Sequence, residues 1–165
     1  MFTTVTAEAI PCGQGISRRV VTDLMTFKVT GKETNGQYAL IEMMVPPEGG
    51  PPLHIHTRED EGFWILEGAL EFQAGEQKFK AGPGTYIHSP RDLAHTYKNI
   101  GSQPARALVF IMPAGFEEFF LEIGEPATAA EVPAAPPSPE YIEHLVKTAA
   151  KYGCRILLPT VSASV

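Results

Sequence analysis

His54 and His56, one residue apart and followed by the acidic run Glu59-Asp60-Glu61, constrain this chain more than any other stretch. Side chains along a strand alternate between its faces, so the two histidines leave one face and Ile55 leaves the other. A third imidazole, His95, lies further along. Three neutral imidazoles and one carboxylate form a mixed nitrogen and oxygen donor set that suits a divalent first-row transition metal. A lone His-x-His pair arises by chance; the combination carries the inference. Any of Glu59, Asp60 and Glu61 is a candidate for the carboxylate, although such a run is ordinarily a solvated turn.

The sequence around these residues is patterned for strands. Runs at 19–30, 37–45, 62–66, 69–73, 77–80, 85–88, 95–99 and 106–112 are short and apolar, several of them rich in β-branched or aromatic residues. Thr34-Asn35-Gly36, Glu67-Gly68, Ala74-Gly75, Gly82-Pro83-Gly84 and Gly101-Ser102 punctuate them as turns. A spacing of about eight to twelve residues per strand and turn predicts an all-β sandwich or barrel. His-x-His is not repeated, so the unit is single rather than duplicated. Phe63 and Ile65 share strand parity with Glu61 and are expected to face the interior, as Tyr97 does with His95. Trp64 and Leu66 are expected to face outward.

In order and spacing, these residues resemble the cupin superfamily over roughly residues 25–125. The first cupin motif, G-x5-H-x-H-x3–4-E-x6-G, is met by His54, His56, Glu61 and Gly68, and the six-residue gap before Gly68 selects Glu61 from the acidic run. Its leading glycine is displaced: Glu48 stands there, with Gly49 and Gly50 following. The second motif, G-x5-P-x-G-x2-H-x3-N, is met by Gly84, Pro90, His95 and Asn99. Asp92 replaces its middle glycine, and Asp tolerates turn conformations.

The resemblance implies an all-β fold, a single-domain cupin jelly-roll β-barrel with short C-terminal helices. It also implies one divalent transition metal per chain (Fe, Mn, Ni, Co, Cu or Zn) held by His54, His56, Glu61 and His95. Within the superfamily the chain is similar to the quercetin 2,3-dioxygenase-like cupins. That similarity implies a metal-dependent dioxygenase of an aromatic or enol-type small molecule, with Glu61 as the catalytic carboxylate. The substrate would lie among Phe63, Ile65, Tyr97, Phe116 and Phe119. Two other readings remain: an isomerase or lyase using the metal as a Lewis acid, and a non-catalytic small-molecule-binding module. Against the isomerase stands the scatter of Lys78, Lys80 and Arg91, which form no phosphate-binding cluster.

The C-terminal third changes character. Phe116, Phe119, Phe120 and Ile123 recur at helical spacing with Gly124 behind them, which predicts a short amphipathic helix closing a unit of residues 1–124. Its phenylalanines serve either as core packing or as a lid over the barrel mouth. Residues 125–137 are Pro/Ala-rich and read as an extended linker. Residues 138–165 begin with Ser138 as N-cap and Pro139 at the first helical position, run to a stop at Gly153, and end in a tail whose residues 155–158 suit an edge strand packed on the barrel. His144 falls off that helix's apolar stripe and is assigned to the surface. His88 is read as a partly exposed strand residue or as a donor behind the site.

Composition narrows the remaining classes. With 13 Lys and Arg against 19 Asp and Glu, the net charge is −6, and nucleic acid is not an expected partner. Neither a leader-like segment nor a membrane-length apolar run is present, so a cytoplasmic location away from membranes is expected. Cys12 and Cys154 are remote from the histidines and read as reduced structural thiols. Outward Trp64 and Leu66, with a long N-terminal strand over 20–29, suggest apolar surface that a homodimer would cover.

Overall fold

Burial along the strands follows the period-two pattern of the sequence. In β10 (Ala105–Met112) alternate residues from Ala105 to Ile111 are buried and those between are half-buried. The computed structural model describes residues 7–127 and 137–158. Before β10 come β1 (Ile16–Val20), β2 (Asp23–Val29), β3 (Ala39–Val45), β4 (His54–His56), β5 (Asp60–Glu67), β6 (Leu70–Ala74), β7 (Gln77–Ala81), β8 (Tyr86–Ser89) and β9 (His95–Asn99). After it come α1 (Glu117–Ile123), β11 (Glu125–Pro126), α2 (Pro139–Lys151) and β12 (Cys154–Ile156).

The strands form two sheets, one ordered β11-β1-β2-β3-β10-β5-β8 and the other β12-β4-β9-β6-β7. Every ladder is antiparallel. The sheets meet through their inner faces: Phe63 of β5 packs on Phe72 of β6 at 5.2 Å between ring centroids and on Tyr97 of β9 at 5.7 Å. Among the described residues no ladder joins one sheet to the other. The strands are therefore layered as two facing sheets, an arrangement consistent with a jelly roll, rather than closed by hydrogen bonds into one barrel. No helix among the described residues is long and apolar enough to cross a membrane.

Three sequence expectations need correction. The single strand expected over 19–30 is a hairpin, because the chain reverses at Val21-Thr22 with Val21 at φ 56°, a left-handed conformation that a β-branched residue rarely takes. Its residues do not supply a free apolar face either: Leu24, Met25 and Phe27 are buried within the chain. The acidic run is not a solvated turn. β5 starts at Asp60, where pairing with Met112 and then of Glu61 with Ile111 draws the backbone of the run into the sheet; Glu59 and Glu61 are each only 4% exposed, while the Asp60 carboxylate stays at the surface with Arg91. The extended linker begins with Glu125 and Pro126 paired to Arg19 and Arg18, while residues 128–136 lie outside the described ones.

Gly124 ends α1 as expected, but for another reason. Its backbone is extended (φ −75°), not left-handed, and a Cβ there would meet the Phe120 carbonyl at 2.5 Å and Arg18 Cβ at 2.7 Å. Close approach of β1 excludes a side chain. The second helix matches its reading in detail, with Ser138 accepting from the Tyr141 amide at 3.2 Å and Leu145 and Ala149 buried against the core. His144 is exposed.

Glu117, at the start of α1, is 1% exposed and accepts hydrogen bonds from the Gly31 amide at 2.8 Å and the Gly115 amide at 2.5 Å. It ties the β2–β3 loop to the segment that carries the phenylalanines. Glu117→Ala would leave two half-buried amides without this partner, and we expect it to lower unfolding stability by about 2 kcal/mol. Urea denaturation checks this; a midpoint equal to the parent's would contradict it.

Candidate metal centre

The two sheets divide the donor set between them. β4 and β9 are paired with His54 directly opposite His95, and His56 leaves the same face of β4 two residues on. Glu61 enters from β5 in the facing sheet. One donor atom from each of these four residues lies within 4.8 Å of the others. Donors at about 2.1 Å from a shared ion stand at most about 4.2 Å apart, so small side-chain shifts close the set. All four are buried, none more than 9% exposed.

Backbone carbonyls orient two of the rings. His54 Nδ1 donates to the Pro52 carbonyl at 2.8 Å and His95 Nδ1 to the Leu93 carbonyl at 3.0 Å. A carbonyl can only accept, so these Nδ1 atoms carry protons and both Nε2 atoms are directed inward, the orientation a metal ligand requires. His95 Nε2 lies 2.9 Å from Glu61 Oε2. His56 Nε2 is 3.3 Å from the same oxygen but not in hydrogen-bonding geometry, and neither of its ring nitrogens has a partner. Buried imidazole nitrogens are seldom left unpaired, and a cation between the three rings and Glu61 would satisfy His56 Nε2, while its Nδ1 faces Glu59 at 3.8 Å. The donor set therefore fits a divalent metal.

The loops that deliver these strands hold two side chains where the cupin pattern has glycine. Glu48 and Asp92 both lie in the left-handed region, at φ 63° and 66°. The Asp92 amide donates to the His56 carbonyl at 2.7 Å, which fastens the loop before β9 to the end of β4. Gly68 lies at φ 74° in the β5–β6 turn, where a Cβ would meet Ala105 at 2.9 Å.

Electrostatics follow from one carboxylate facing three imidazoles out of water. Burial pushes the Glu61 carboxyl up, but the charges of His56 and His95 and the hydrogen bond with His95 outweigh it and hold it well below its usual range. Burial pushes His95 down, and the hydrogen bond and charge of Glu61 more than restore it, leaving it above 6.5. Burial, reinforced by repulsion from His95 and His56, lowers His54 to about 3.

A cavity of about 70 Å³ adjoins the cluster. His54, Glu61, Phe63, Tyr97, Phe116 and Phe119 line it, together with Asp23. Ile65 does not; it is fully buried, but four residues along β5 carry it about 13 Å from Glu61 into the closed core. The aromatic segment is packed wall and cavity lining at once: Phe116 stacks on Phe119 with centroids 4.9 Å apart and meets the His56 ring edge-on at 4.2 Å. His88 is exposed on β8.

Sequence reasoning missed two inward polar groups, Ser89 and Asp23, and named a third, Glu59, only as an alternative to Glu61. Glu59 Oε2 is buried, unpaired and 3.8 Å from His56 Nδ1, and Ser89, opposite Glu61 in the β5–β8 ladder, has a buried unpaired hydroxyl. Asp23 is buried 74 residues from its partner Tyr97. Parity with the buried Ile87 was the available signal for Ser89; nothing local marked Asp23.

Comparison with known proteins gives a family match over residues 41–111, to the Cupin domain. The chain is 28% identical over 105 residues to quercetin 2,3-dioxygenase of Bacillus subtilis (strain 168), covering 64% of this chain and 31% of that protein. To quercetin 2,3-dioxygenase of Aspergillus japonicus it is 30% identical over 116 residues, covering 66% of this chain and 33% of that protein. The chain thus spans about a third of the length of both enzymes. In fold it is similar to a Thermotoga maritima protein described as a predicted oxalate decarboxylase, with a TM-score of 0.61 and 18% identity over 64% of this chain and 99% of that one.

Metal binding here must displace a proton. His95 is held above its ordinary 6.5 by Glu61, and only the neutral ring binds an ion. We expect apparent zinc affinity to fall as pH drops through the His95 titration, by up to about tenfold per pH unit below it. Competition against a chromophoric chelator between about pH 8 and about pH 5 measures this; a flat profile would contradict it.

Proposed function

Because this chain is a cupin superfamily protein, similar to the quercetinase-like cupins, we propose that it is a metal-dependent dioxygenase of an aromatic or enol-type small molecule. The observation that carries the reading is the convergence of His54, His56, Glu61 and His95 beside an aromatic-lined cavity. Four donors leave one or two positions open on a five- or six-coordinate ion, the condition for a catalytic rather than a structural site. A bound metal would supply Lewis acidity toward a substrate hydroxyl and a place for dioxygen.

The protein's own groups do the rest. Glu61 contributes the negative charge of the donor set and is its catalytic carboxylate. Phe63, Phe116 and Phe119 exclude water and offer flat faces for a conjugated ligand. At about 70 Å³ the cavity is about half the size that holds a benzene ring in a dry protein core. A compact enol enters it directly. A flavonol requires displacement of the aromatic wall, whose half-buried Phe120 is its most solvent-accessible ring.

Loading the purified protein with each candidate metal and recording oxygen uptake with small enols, catechols and flavonols tests this function. Glu61→Gln should lower turnover about a hundredfold to ten-thousandfold while most of the metal stays, whereas His54→Ala or His56→Ala should empty the site. Loss of metal in step with activity in Glu61→Gln would make it a structural ligand only. No oxygen uptake by any metal-loaded form would remove the dioxygenase reading.

We also propose a homodimer, supported now by one patch. Trp64 is 45% and Tyr86 48% exposed, with ring centroids 6.5 Å apart on the outer face of β5 and β8. Light scattering at micromolar concentration should give twice the chain mass, and Trp64→Glu should return it to one chain.

A further inference from the structure

Asp23 is a buried carboxylate without a cation. It opens β2, is 3% exposed and lines the same cavity as His54 and Glu61. Tyr97 donates to its Oδ2 at 2.7 Å and Thr22 to its Oδ1 at 2.9 Å. Among the described residues it forms no ion pair. A carboxylate offers about four acceptor sites, so roughly half of its capacity is unused in a cavity walled mainly by apolar groups. A buried anion so sparsely solvated gains from any further donor that enters.

Its position separates it from the histidines. Tyr97, whose hydroxyl holds Asp23, stands two residues along β9 from His95 on the same face, about 7 Å away, which sets Asp23 beyond Tyr97 from the histidines. We propose that Asp23, held by Tyr97 and Thr22, is a hydroxyl-binding subsite that receives a donor O–H at the far end of a ligand whose other oxygen lies at the His/Glu cluster. The inference rests on the small-molecule reading of the cavity and adds the substrate class: a polyhydroxylated enol or phenol rather than a singly hydroxylated one.

Burial raises the Asp23 carboxyl to about 6 against the lowering effect of Tyr97 and Thr22. The other ionisable groups lining the cavity are Tyr97 on β9, Glu61 on β5, His54 on β4 and Cys154 on β12, and Tyr141 of α2 accepts from the Val21 amide of the adjoining turn. With a metal loaded, His54 and Glu61 are committed to it. Burial holds the Tyr97 proton well above 10, Cys154 at about 12 and Tyr141 above its ordinary value. Asp23 is thus the group left to titrate near neutrality, and the anionic form is the better acceptor. Preference for a hydroxylated ligand is present above about 6 and is lost as the pH falls through it.

The test uses zinc-loaded protein, which consumes no oxygen, and compares binding of quercetin with that of 3-hydroxyflavone, which lacks the remote hydroxyls. We expect the parent to prefer quercetin by about tenfold, the effect of one hydrogen bond to a charged acceptor, and Asp23→Asn to lose that preference with its zinc content unchanged. If Asp23→Asn does not fold, Tyr97→Phe serves: removing a donor that lowers the Asp23 pKa should move the pH midpoint of the preference upward. An unchanged preference and pH profile in the variants would overturn the subsite, and so would failure of both flavonols to bind. Oxygen uptake with other enols on redox-metal-loaded protein separately decides the dioxygenase reading.

Discussion

One carboxylate, reaching from one sheet to the imidazoles of the other, is the constraint around which this fold is arranged. Glu61 is surrounded by protein, and His56 and His95 are the groups that make its charge tolerable. Neither sheet could keep its share of the cluster buried alone, because unpaired imidazoles or an unpaired carboxylate would be left in an apolar layer. The centre therefore joins the two layers electrostatically at the end where Phe116 and Phe119, rather than the Phe63–Phe72 contact, close the interior.

The loops carrying the donors are held by the surrounding contacts more than by the freedom of their own residues. Glu48 and Asp92 adopt backbone angles at which L-residues are strained, by about 1–2 kcal/mol each. The Asp92 amide is anchored on the His56 carbonyl, and the Glu48 amide on the Asn99 carbonyl at 3.1 Å. Both anchors join a loop to a ligand-bearing strand or to the end of one. The strain is thus offset by the contacts that space His54, His56 and His95.

Much of this was legible in the sequence because it is written locally. Strand alternation, turn residues and the short gaps from His54 to Gly68 and from Gly84 to Asn99 act over a few residues, and they located the strands and the four clustered side chains. What escaped depends on partners far along the chain. Asp23 is buried by Tyr97, and Glu117 by the amides of Gly31 and Gly115. The acidic run resembles a solvated turn until β10 pairs with Asp60 and Glu61. The reversal at Val21-Thr22 lacked the Gly, Pro or Asn that usually announces one, and a β-branched residue at positive φ argues against a turn on local grounds.

β12 pairs with β4, placing Cys154 opposite His56 and Ile156 opposite His54, and Thr57 donates twice more to the Gly153 carbonyl. Without β12 the three-residue strand that carries two of the imidazoles would be a sheet edge. The helix–strand segment at 139–156 is therefore thermodynamically linked to the donor set. Docking of that segment sharpens the spacing of His54 and His56 and so strengthens ion affinity. By reciprocity, an ion held there suppresses opening of the segment by the same factor. Slowed amide exchange across α2 on metal addition would be the signature of a tail and a metal centre that sense each other through a single three-residue ladder.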